Sequence, residues 1–394
     1  MIFNYHKTAC SISTIGSCKK GYDGVKAIVA PRISIEIIPP YTMGSLIGFG
    51  AYFPLGTSSP FTACYYTLSG GVVDIGGTNN YARSANEDLS VIVGYNPVSN
   101  YAWYWKAGVF YTILSGSLYI ESVSDISQDG LTGLIQVWDS SSHTYARQAV
   151  VSLSGSCPLT YLPVLATGHQ SYARSISADG LTIAGICYDA LDVAHQVYWK
   201  KVSGTWILYV VPGVSSSSSN VFGEALVTRG GNIVHGRCWD NATSISEGGP
   251  PDYTPTGYIY NITTNSTYVL PIIDIDTVLN GQISPSNDGL SAYMQMLSST
   301  PINGGLWRWT YSGGFTLVAT DPSSGTGATA PYPIGGYSND TATQIIGYDS
   351  VGGSDPLNFA FPYFAFYNIT AGSLIPTGIS APFPTDVNLS FRFT

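Results

Sequence analysis

Residues 172–189, which read YARSISADGLTIAGICYD, are the stretch around which the rest of the chain is organised. Alternating apolar residues at its start, the Asp179-Gly180 pair and a β-forming second half predict two short strands joined by a tight turn. The same hairpin recurs with Asp, Asn or Gly at its turn in residues 81–96, 122–139, 224–240, 282–296 and 336–349. A weaker first copy spans residues 32–52, where Gly48 is retained and the turn pair is lost.

A second kind of hairpin follows each copy, with an aromatic first strand, Gly or Asn at the turn and an apolar second strand. It is clearest in residues 196–207, QVYWKKVSGTWI, and similar hairpins begin at Cys64, Trp103, Tyr145, Tyr258, Leu306 and Phe364. Four strands therefore recur about every 40–60 residues, which is the period of a propeller blade rather than of a solenoid coil. We predict an all-β fold, a single β-propeller of about seven four-stranded blades around a central channel.

The alternation of an Ala-x-Ser-x-x-x-Asp-Gly-x-x-x-x-Gly hairpin with an Ala-aromatic hairpin resembles the HAF family of extracellular repeats. The His-Ala-Phe signature of that family is present here as variants, Tyr101-Ala102-Trp103 and Phe364-Ala365-Phe366. The resemblance covers about residues 30–378. It implies a propeller in an extracytoplasmic setting, and it implies no enzymatic activity.

The chain divides into three parts by its repeats. Residues 1–29 match no repeat and predict an N-terminal extension, which would serve as an anchor, an assembly arm or an inner plug. Residues 30–384 hold the predicted propeller. Residues 385–394 alternate, with four apolar side chains on one side, and predict a C-terminal strand that closes the propeller or pairs with a partner protein.

Composition limits the classes of function. Charged residues are 10% of the chain and aromatic residues 13%, with 44 Gly and 29 Tyr, which is typical of durable extracellular β-proteins and virion surfaces. A net charge of −9 with 15 scattered Lys and Arg argues against a nucleic-acid partner. The uncharged run 37–55 contains Pro39-Pro40 and reads as strands rather than a membrane span.

The N-terminal residues do not resemble a secretory signal, because the segment after His6 and Lys7 is too polar. A virion protein reconciles this with an extracellular composition, since it is assembled inside the host cell and works outside. Secretion by another route or loss of a leader are the alternatives.

The six cysteines allow disulfides without requiring them. Cys10 and Cys18 bracket a short segment and could close a small loop. Cys187 and Cys238 occupy the same position in consecutive repeats, where the separation usually exceeds that of a disulfide, so buried free thiols are predicted. The five histidines show no metal-ligand spacing, and His195, at the start of an aromatic hairpin, is expected to be packed or solvated.

The connections between hairpins vary in length far more than the hairpin turns do. The longest are Asp240–Thr256, Val211–Gly223, Thr320–Pro333 and Asp349–Pro362. In an up-and-down blade these connections all lie on the face opposite the hairpin turns. Since repeat folds usually place function where loops are elaborated, this long-loop face is the predicted binding face.

An aromatic residue followed by Asp or Asn ends the second strand in five repeats: Tyr95-Asn96, Trp138-Asp139, Tyr188-Asp189, Trp239-Asp240 and Tyr348-Asp349. On the long-loop face these side chains could bind sugars by stacking and hydroxyl hydrogen bonds, or a hard cation such as Ca²⁺. The alternative is that the aromatic residues pack between blades and the Asp or Asn caps the loop as an Asx-turn.

The Ser-x-Asp-Gly-x-Thr segments 127–132 and 177–182 are similar to the Asp-box of sialidase propellers. We interpret them as turn devices, in which Asp accepts backbone hydrogen bonds and Gly takes a positive φ. A sialidase-like site would also need grouped arginines, an acid and a Tyr nucleophile, and the sequence does not group them.

These observations favour a non-enzymatic surface protein, a virion or appendage component that attaches to a host glycan or protein receptor through the long-loop face. The second hypothesis is a structural shell or filament subunit, which contacts other copies or shell proteins through its terminal segments. A propeller glycan hydrolase or lyase is the weakest hypothesis, because no acid–base constellation is evident. No catalytic residue, metal site or cofactor is predicted beyond the Ca²⁺ option.

Overall fold

Every regular element of the described residues is a β-strand. The computed structural model describes residues 46–52, 61–67, 70–113, 119–138, 146–214, 224–240, 254–270, 277–298, 305–320, 332–338, 344–349, 363–370, 373–382 and 387–393. All of them belong to one compact unit, Met43–Thr394. None of these ranges contains a helix of the length and apolar character needed to cross a membrane.

The strands of the described residues form seven antiparallel sheets of four strands, numbered from the N-terminus. Sheet 1 contains β1 (Leu46–Tyr52), β2 (Thr62–Thr67), β3 (Gly71–Gly76) and the last strand, β28 (Val387–Phe393). Sheet 2 contains β4 (Tyr81–Ala85), β5 (Val91–Asn96), β6 (Tyr101–Lys106) and β7 (Val109–Thr112). Sheet 3 contains β8 (Tyr119–Ile126), β9 (Thr132–Trp138), β10 (Ala146–Ser152) and β11 (Leu159–Tyr161). Sheet 4 contains β12 (Ser171–Ile176), β13 (Thr182–Tyr188), β14 (Ala194–Val202) and β15 (Thr205–Val210).

The remaining sheets repeat the same plan. Sheet 5 contains β16 (Glu224–Val227), β17 (Ile233–Asp240), β18 (Thr254–Asn261) and β19 (Ser266–Val269). Sheet 6 contains β20 (Thr277–Pro285), β21 (Ser291–Ser298), β22 (Gly305–Thr310) and β23 (Gly314–Thr320). Sheet 7 contains β24 (Tyr332–Ser338), β25 (Gln344–Asp349), β26 (Tyr363–Thr370) and β27 (Ser373–Pro382). In sheets 2 to 7 the strands lie side by side in chain order, so both predicted hairpins of each repeat are confirmed.

Sheet 1 is assembled from both ends of the described chain. Its order is β28-β1-β2-β3, so β28 takes the place that the first strand holds in every other sheet. Gly48 of β1 pairs with Phe391 of β28, as Gly185 of β13 pairs with Ala173 of β12. This explains why the first repeat has no turn pair, because no hairpin joins its first two strands. Residues 32–45 of that repeat and the boundary predicted at 29/30 lie outside the described residues.

The turn between the first two strands is built by the Ser-x-Asp-Gly-x-Thr chemistry. In sheet 4, Ser177 Oγ donates to Asp179 Oδ1 at 2.5 Å, and Oδ1 also accepts the Leu181 N–H at 2.9 Å. Ser177 Oγ accepts the Thr182 N–H at 3.0 Å, while Gly180 adopts φ +69°. Sheets 3 and 6 repeat these bonds at Asp129 and Asp288. The interpretation as a turn device is confirmed.

The apolar core lies between successive sheets. Strand β13 is buried along its whole length, as expected for a strand packed on both faces. One cluster joins Ile183 and Trp199 of sheet 4 to Leu134 and Val150 of sheet 3. The Trp199 indole is fully buried and donates from Nε1 to the Pro163 carbonyl at 2.8 Å, which satisfies its one polar group. Other clusters bridge sheets 2 and 3, 4 and 5, and 5 and 6 in the same way.

First strands make the contacts from sheet to sheet. Strand β8 contacts β4, β12 contacts β8, β16 contacts β12, and β24 contacts β20. At the ends of this series, β1 contacts β4 and β28 contacts β24.

The cysteines of the described residues form no disulfides. Cys187 and Cys238 are both buried and form no disulfide, as predicted, and burial raises the pKa of the Cys187 thiol to about 12. Such thiols stay protonated and inert. Cys10 and Cys18, the candidate disulfide, lie outside the described residues.

Candidate functional site

Each sheet has two ends, and the connectivity decides what lies at each. At the turn end, the first strand turns into the second and the third into the fourth. At the long-loop end, the second strand leads to the third and the fourth leads to the next sheet. The four longest connections join β17 to β18, β15 to β16, β23 to β24 and β25 to β26, so all four leave at the long-loop end. Most of their residues lie outside the described ranges.

The strand register divides the five aromatic–Asp/Asn pairs into two sets. Tyr95 and Tyr348 directly follow the glycines Gly94 and Gly347. Trp138, Tyr188 and Trp239 stand two positions farther along their strands, since Tyr188 is the third residue after Gly185, the equivalent of Gly94. A two-residue shift keeps a side chain on the same face of a sheet and moves it about 6–7 Å along the strand. The five aromatic residues therefore do not lie at one level.

Asn96 and Asp189 are loop caps. Asn96 is buried, and its Oδ1 accepts the N–H groups of Val98 and Ser99 at 3.0 and 2.9 Å. Asp189 Oδ1 accepts the N–H groups of Leu191 and Val193 at 2.8 and 3.0 Å. The Asx-turn alternative is confirmed for these two residues.

The other predicted ligand-binding residues are described less completely. Trp138 is half-buried at the end of β9. Trp239 and Asp240 end β17, and Tyr348 and Asp349 end β25. The side chains of these four residues lie outside the described part of the structure. Asp139 is outside the described residues.

Sheet 2 holds an exposed arginine against two tyrosine rings. The Arg83 guanidinium lies 4.9 Å from the ring centroid of Tyr81 and 5.1 Å from that of Tyr95. Its Nη2 also donates to the Tyr95 hydroxyl at 3.3 Å. Tyr81 begins β4 and Tyr95 is the penultimate residue of β5, so this group lies at the long-loop end.

Sheet 4 repeats this arrangement. The Arg174 guanidinium lies 5.6 Å from the ring centroid of Tyr172, and Tyr172 packs edge-on against Tyr188 at 6.3 Å. The Tyr172 hydroxyl donates to Gln170 Oε1. Burial raises the pKa of Tyr188, so its phenol is neutral at physiological pH. We call these two groups, Arg83 with Tyr81 and Tyr95, and Arg174 with Tyr172 and Tyr188, the arginine–tyrosine clusters.

A β-bulge places both arginines. The pairing of β4 with β5 shifts register between Ala82 and Ser84, and the pairing of β12 with β13 shifts between Ala173 and Ser175. In each case the residue left out of the ladder is the arginine of a Tyr-Ala-Arg-Ser segment. Bulges re-aim a side chain and often stand beside functional sites. The sequence signal for this site is the repeated Tyr-Ala-Arg-Ser segment, which is absent from the predicted binding residues.

Two histidines at the long-loop end of sheet 4 bond to carboxylates. His195 Nε2 lies 2.9 Å from Asp189 Oδ2, and His169 Nδ1 lies 2.7 Å from Asp192 Oδ1. The hydrogen bond with His195, followed by the two loop N–H groups, lowers the pKa of Asp189 to about 2. His195 thus orders the loop after β13, a role that the sequence did not indicate. No group of three or more His, Cys, Asp or Glu arranged for a metal ion occurs in the described ranges.

The turn end is occupied by contacts between turns. The Gln128 N–H donates to the Ala178 carbonyl at 2.9 Å, and the Ala178 N–H donates to the Arg229 carbonyl at 2.8 Å. Arg229 of sheet 5 also reaches Glu87 of sheet 2 at 3.4 Å, and its Nη1 donates to the Ile126 carbonyl at 3.3 Å. Residues in the turns of sheets 2, 3, 4 and 5 therefore bond to one another.

Solved structures resemble this chain in fold. The β-propeller domain of the Trilobed protease from Pyrococcus furiosus is 12% identical over 88% of this chain and 96% of that chain, with a TM-score of 0.52. The acylaminoacyl peptidase from Pyrococcus horikoshii is 12% identical over 86% of this chain and 50% of that chain, with a TM-score of 0.51, so this chain spans about half of that enzyme's length. At these identities the likeness shows the fold alone. No family model and no curated protein matches the sequence, so the HAF resemblance stays a prediction.

The sheets and these comparisons define the class of protein. The chain is all-β, is built from four-stranded antiparallel sheets and has a β-propeller fold.

Proposed function

We propose that the chain is a single seven-bladed propeller that acts as a non-enzymatic recognition protein on a virion or cell surface. It binds a host glycan or protein receptor at its long-loop end. The observation that carries this proposal is the pair of arginine–tyrosine clusters, because two sheets present the same exposed guanidinium on tyrosine rings at the end where the longest loops leave.

The blade count and the closure belong to this proposal. Seven sheets of four strands supply the blades, and β28 pairs with β1 along the full length of both strands. Strand β28 also contacts β24 of sheet 7, as each first strand contacts the first strand of a neighbouring sheet. These contacts support a ring that is closed between the last strand and the first sheet.

The bonding of the polar groups supports recognition over catalysis. Asp189, whose side chain is described, is bonded to two loop N–H groups and to His195. A catalytic carboxylate would instead have to point at a substrate within hydrogen-bond reach. The turn end is filled by its own contacts, whereas the guanidinium groups of the arginine–tyrosine clusters are exposed, which favours the long-loop end for binding.

A glycan-array screen with Tyr95→Ala and Tyr188→Ala variants tests this function. Tyr111→Ala and Tyr209→Ala are matched controls, because these tyrosines are exposed on the outer strands of the same two sheets. We expect specific binding that falls at least about tenfold in the first two variants and is retained in the controls. Equal binding by all four variants, at unchanged melting temperature, would contradict the proposed face.

A further inference from the structure

Arg83 and Arg174 are equivalent residues in alternate sheets. Each is the bulged residue of a first strand, each is exposed, and each lies over the ring of the tyrosine two positions before it, Tyr81 or Tyr172. Between them, the corresponding residue of sheet 3 is Ser124, whose hydroxyl donates to the Ala173 carbonyl at 3.2 Å. The first strands of three successive sheets thus present guanidinium, hydroxyl and guanidinium.

Neither guanidinium forms an ion pair within the described residues. Arg229, in contrast, is paired with Glu87 at the turn end. The carboxylates of the sheet 4 loop, Asp189 and Asp192, are each bonded to a histidine. In a chain of net charge −9, two exposed arginines that contact no carboxylate of the described residues are well suited to bind an anionic group from outside.

The chemistry of these side chains selects the kind of anion. A guanidinium offers a planar fork of N–H donors that binds a carboxylate or sulfate group in two places. Stacking on a tyrosine ring holds that fork in place, so less conformational entropy is lost on binding. The neighbouring tyrosine rings and hydroxyls offer the mixture of apolar surface and hydrogen bonds that sugars require.

We infer that the ligand is an acidic glycan, whose carboxylate or sulfate groups are bound by Arg83 and Arg174. This inference rests on the proposed recognition at the long-loop end and names the ligand class of that site. The two arginines stand on separate sheets, so a glycan with at least two acidic groups uses both, and a glycan with one uses either.

The test compares charged oligosaccharides with their neutral parents on the full chain. The probes are a carboxylated uronic-acid hexasaccharide, a sulfated hexasaccharide, and their carboxyl-reduced and desulfated forms, with affinity measured by titration calorimetry. We expect at least one acidic probe to bind at least about tenfold more tightly than its neutral parent, and higher salt to weaken that binding. Which acidic probe binds distinguishes carboxylate from sulfate.

The variants separate the arginines from general charge. We expect Arg83→Gln with Arg174→Gln to weaken binding by about a hundredfold, since each lost charge-assisted pair accounts for about tenfold. Lys200→Gln with Lys201→Gln removes the same charge from exposed residues at the turn end and should leave binding unchanged.

The outcomes distinguish this inference from the function on which it rests. Binding that requires Tyr95 and Tyr188 but ignores both the arginine double variant and the charge of the probe would overturn the acidic-glycan inference alone. Binding to an acidic peptide and to no glycan would also overturn it. Unchanged binding by the Tyr95→Ala and Tyr188→Ala variants would overturn the proposed function as well.

Discussion

His235 is a neutral histidine sealed between two sheets. It lies on β17, is 6% exposed, and burial lowers its pKa from 6.5 to about 3, while a hydrogen bond with the Ile283 backbone acts in the opposite direction. The unfolded chain binds a proton at this residue near its ordinary pKa, and the folded chain does not until far lower pH. Between those values the unfolded state binds more protons, so stability rises with pH.

We therefore expect His235 to lower the free energy of unfolding by about 2 kcal/mol between pH 7.5 and pH 5. Urea unfolding at both pH values measures this, and His235→Gln should abolish this part of the pH dependence even where its overall stability is lower. The matched control is His169→Gln at the protein surface, which should retain the dependence. An unchanged slope in His235→Gln would show that another group is responsible.

Glycine is required at position 185 because the backbone of the neighbouring strand β12 lies very close to it. A Cβ atom at this position would lie 2.0 Å from the Tyr172 carbonyl oxygen and 2.8 Å from the Ala173 Cα. Gly94, its equivalent in sheet 2, would place a Cβ 2.1 Å from the Tyr81 carbonyl oxygen. Both obstacles are backbone, which cannot rotate away.

Gly185→Ala is accordingly expected to destabilise the protein by about 3 kcal/mol, because the clash forces β12 from β13. Gly133→Ala is the control, since its nearest neighbour at 3.1 Å is the end of the Val151 side chain, and a change below about 1 kcal/mol is expected. Chemical denaturation of both variants gives the comparison. Equal losses of unfolding free energy in the two variants would mean that the close contact between β12 and β13 at Gly185 does not determine stability.

One buried carboxylate on strand β8, that of Asp125, forms hydrogen bonds to three sheets. Asp125 Oδ1 accepts the Ser84 hydroxyl of β4 at 2.8 Å and the Ile126 N–H at 2.8 Å, and Oδ2 accepts the Ile176 N–H of β12 at 3.0 Å. The residue is 6% exposed. Since the donors come from sheets 2, 3 and 4, Asp125 fixes how these sheets meet.

Replacing Asp125 with Ala leaves these buried donors without their acceptor, which should cost about 3 kcal/mol of unfolding free energy. Asp125→Asn keeps one carbonyl acceptor and should cost less. Asp129→Ala removes an exposed turn acceptor of the same type and should cost about 1 kcal/mol. Urea denaturation ranks the three variants. A smaller loss of unfolding free energy in Asp125→Ala than in Asp129→Ala would contradict the role of Asp125 in joining the sheets.

Strand β28 connects the two ends of the described chain. Its seven residues pair with β1, from Val387 opposite Tyr52 to Phe393 opposite Leu46. Without this strand, β1 would present an unpaired edge, which is a template for association with other chains.

Deleting residues 387–394 should lower the melting temperature and promote aggregation, with a loss of about 3–5 kcal/mol from the missing ladder. Adding a peptide of residues 385–394 in trans should restore part of the melting temperature, and a scrambled peptide should not. Light scattering and thermal melts report both effects. A truncated protein as stable and monomeric as the full chain would show that the fold does not depend on β28.

Local chemistry made much of the fold predictable. The turn at Asp179-Gly180 depends on hydrogen bonds between residues at most five positions apart. The strand around Trp199 is predictable from its own aromatic composition. Repetition of both signals predicted four-stranded units, and period-2 alternation in residues 385–394 predicted a strand that the structure has at Val387–Phe393. The loop-capping alternative for Asn96 and Asp189 was also open to sequence reasoning, because an Asx-turn is made within three to four residues.

The candidate site depended on contacts between residues distant along the chain. Tyr95 contacts Arg83 because the pairing of β5 with β4 brings together residues twelve positions apart in the sequence. The bulge that leaves Arg83 out of the ladder exists only in that pairing. Glu87 meets Arg229 across 142 residues of sequence, and no spacing rule predicts such a pair. The sequence therefore specified turns, strands and their repetition, since these follow from neighbouring residues. Which side chains meet at each end of the sheets was settled by packing, because those contacts form only when separate repeats come together in space.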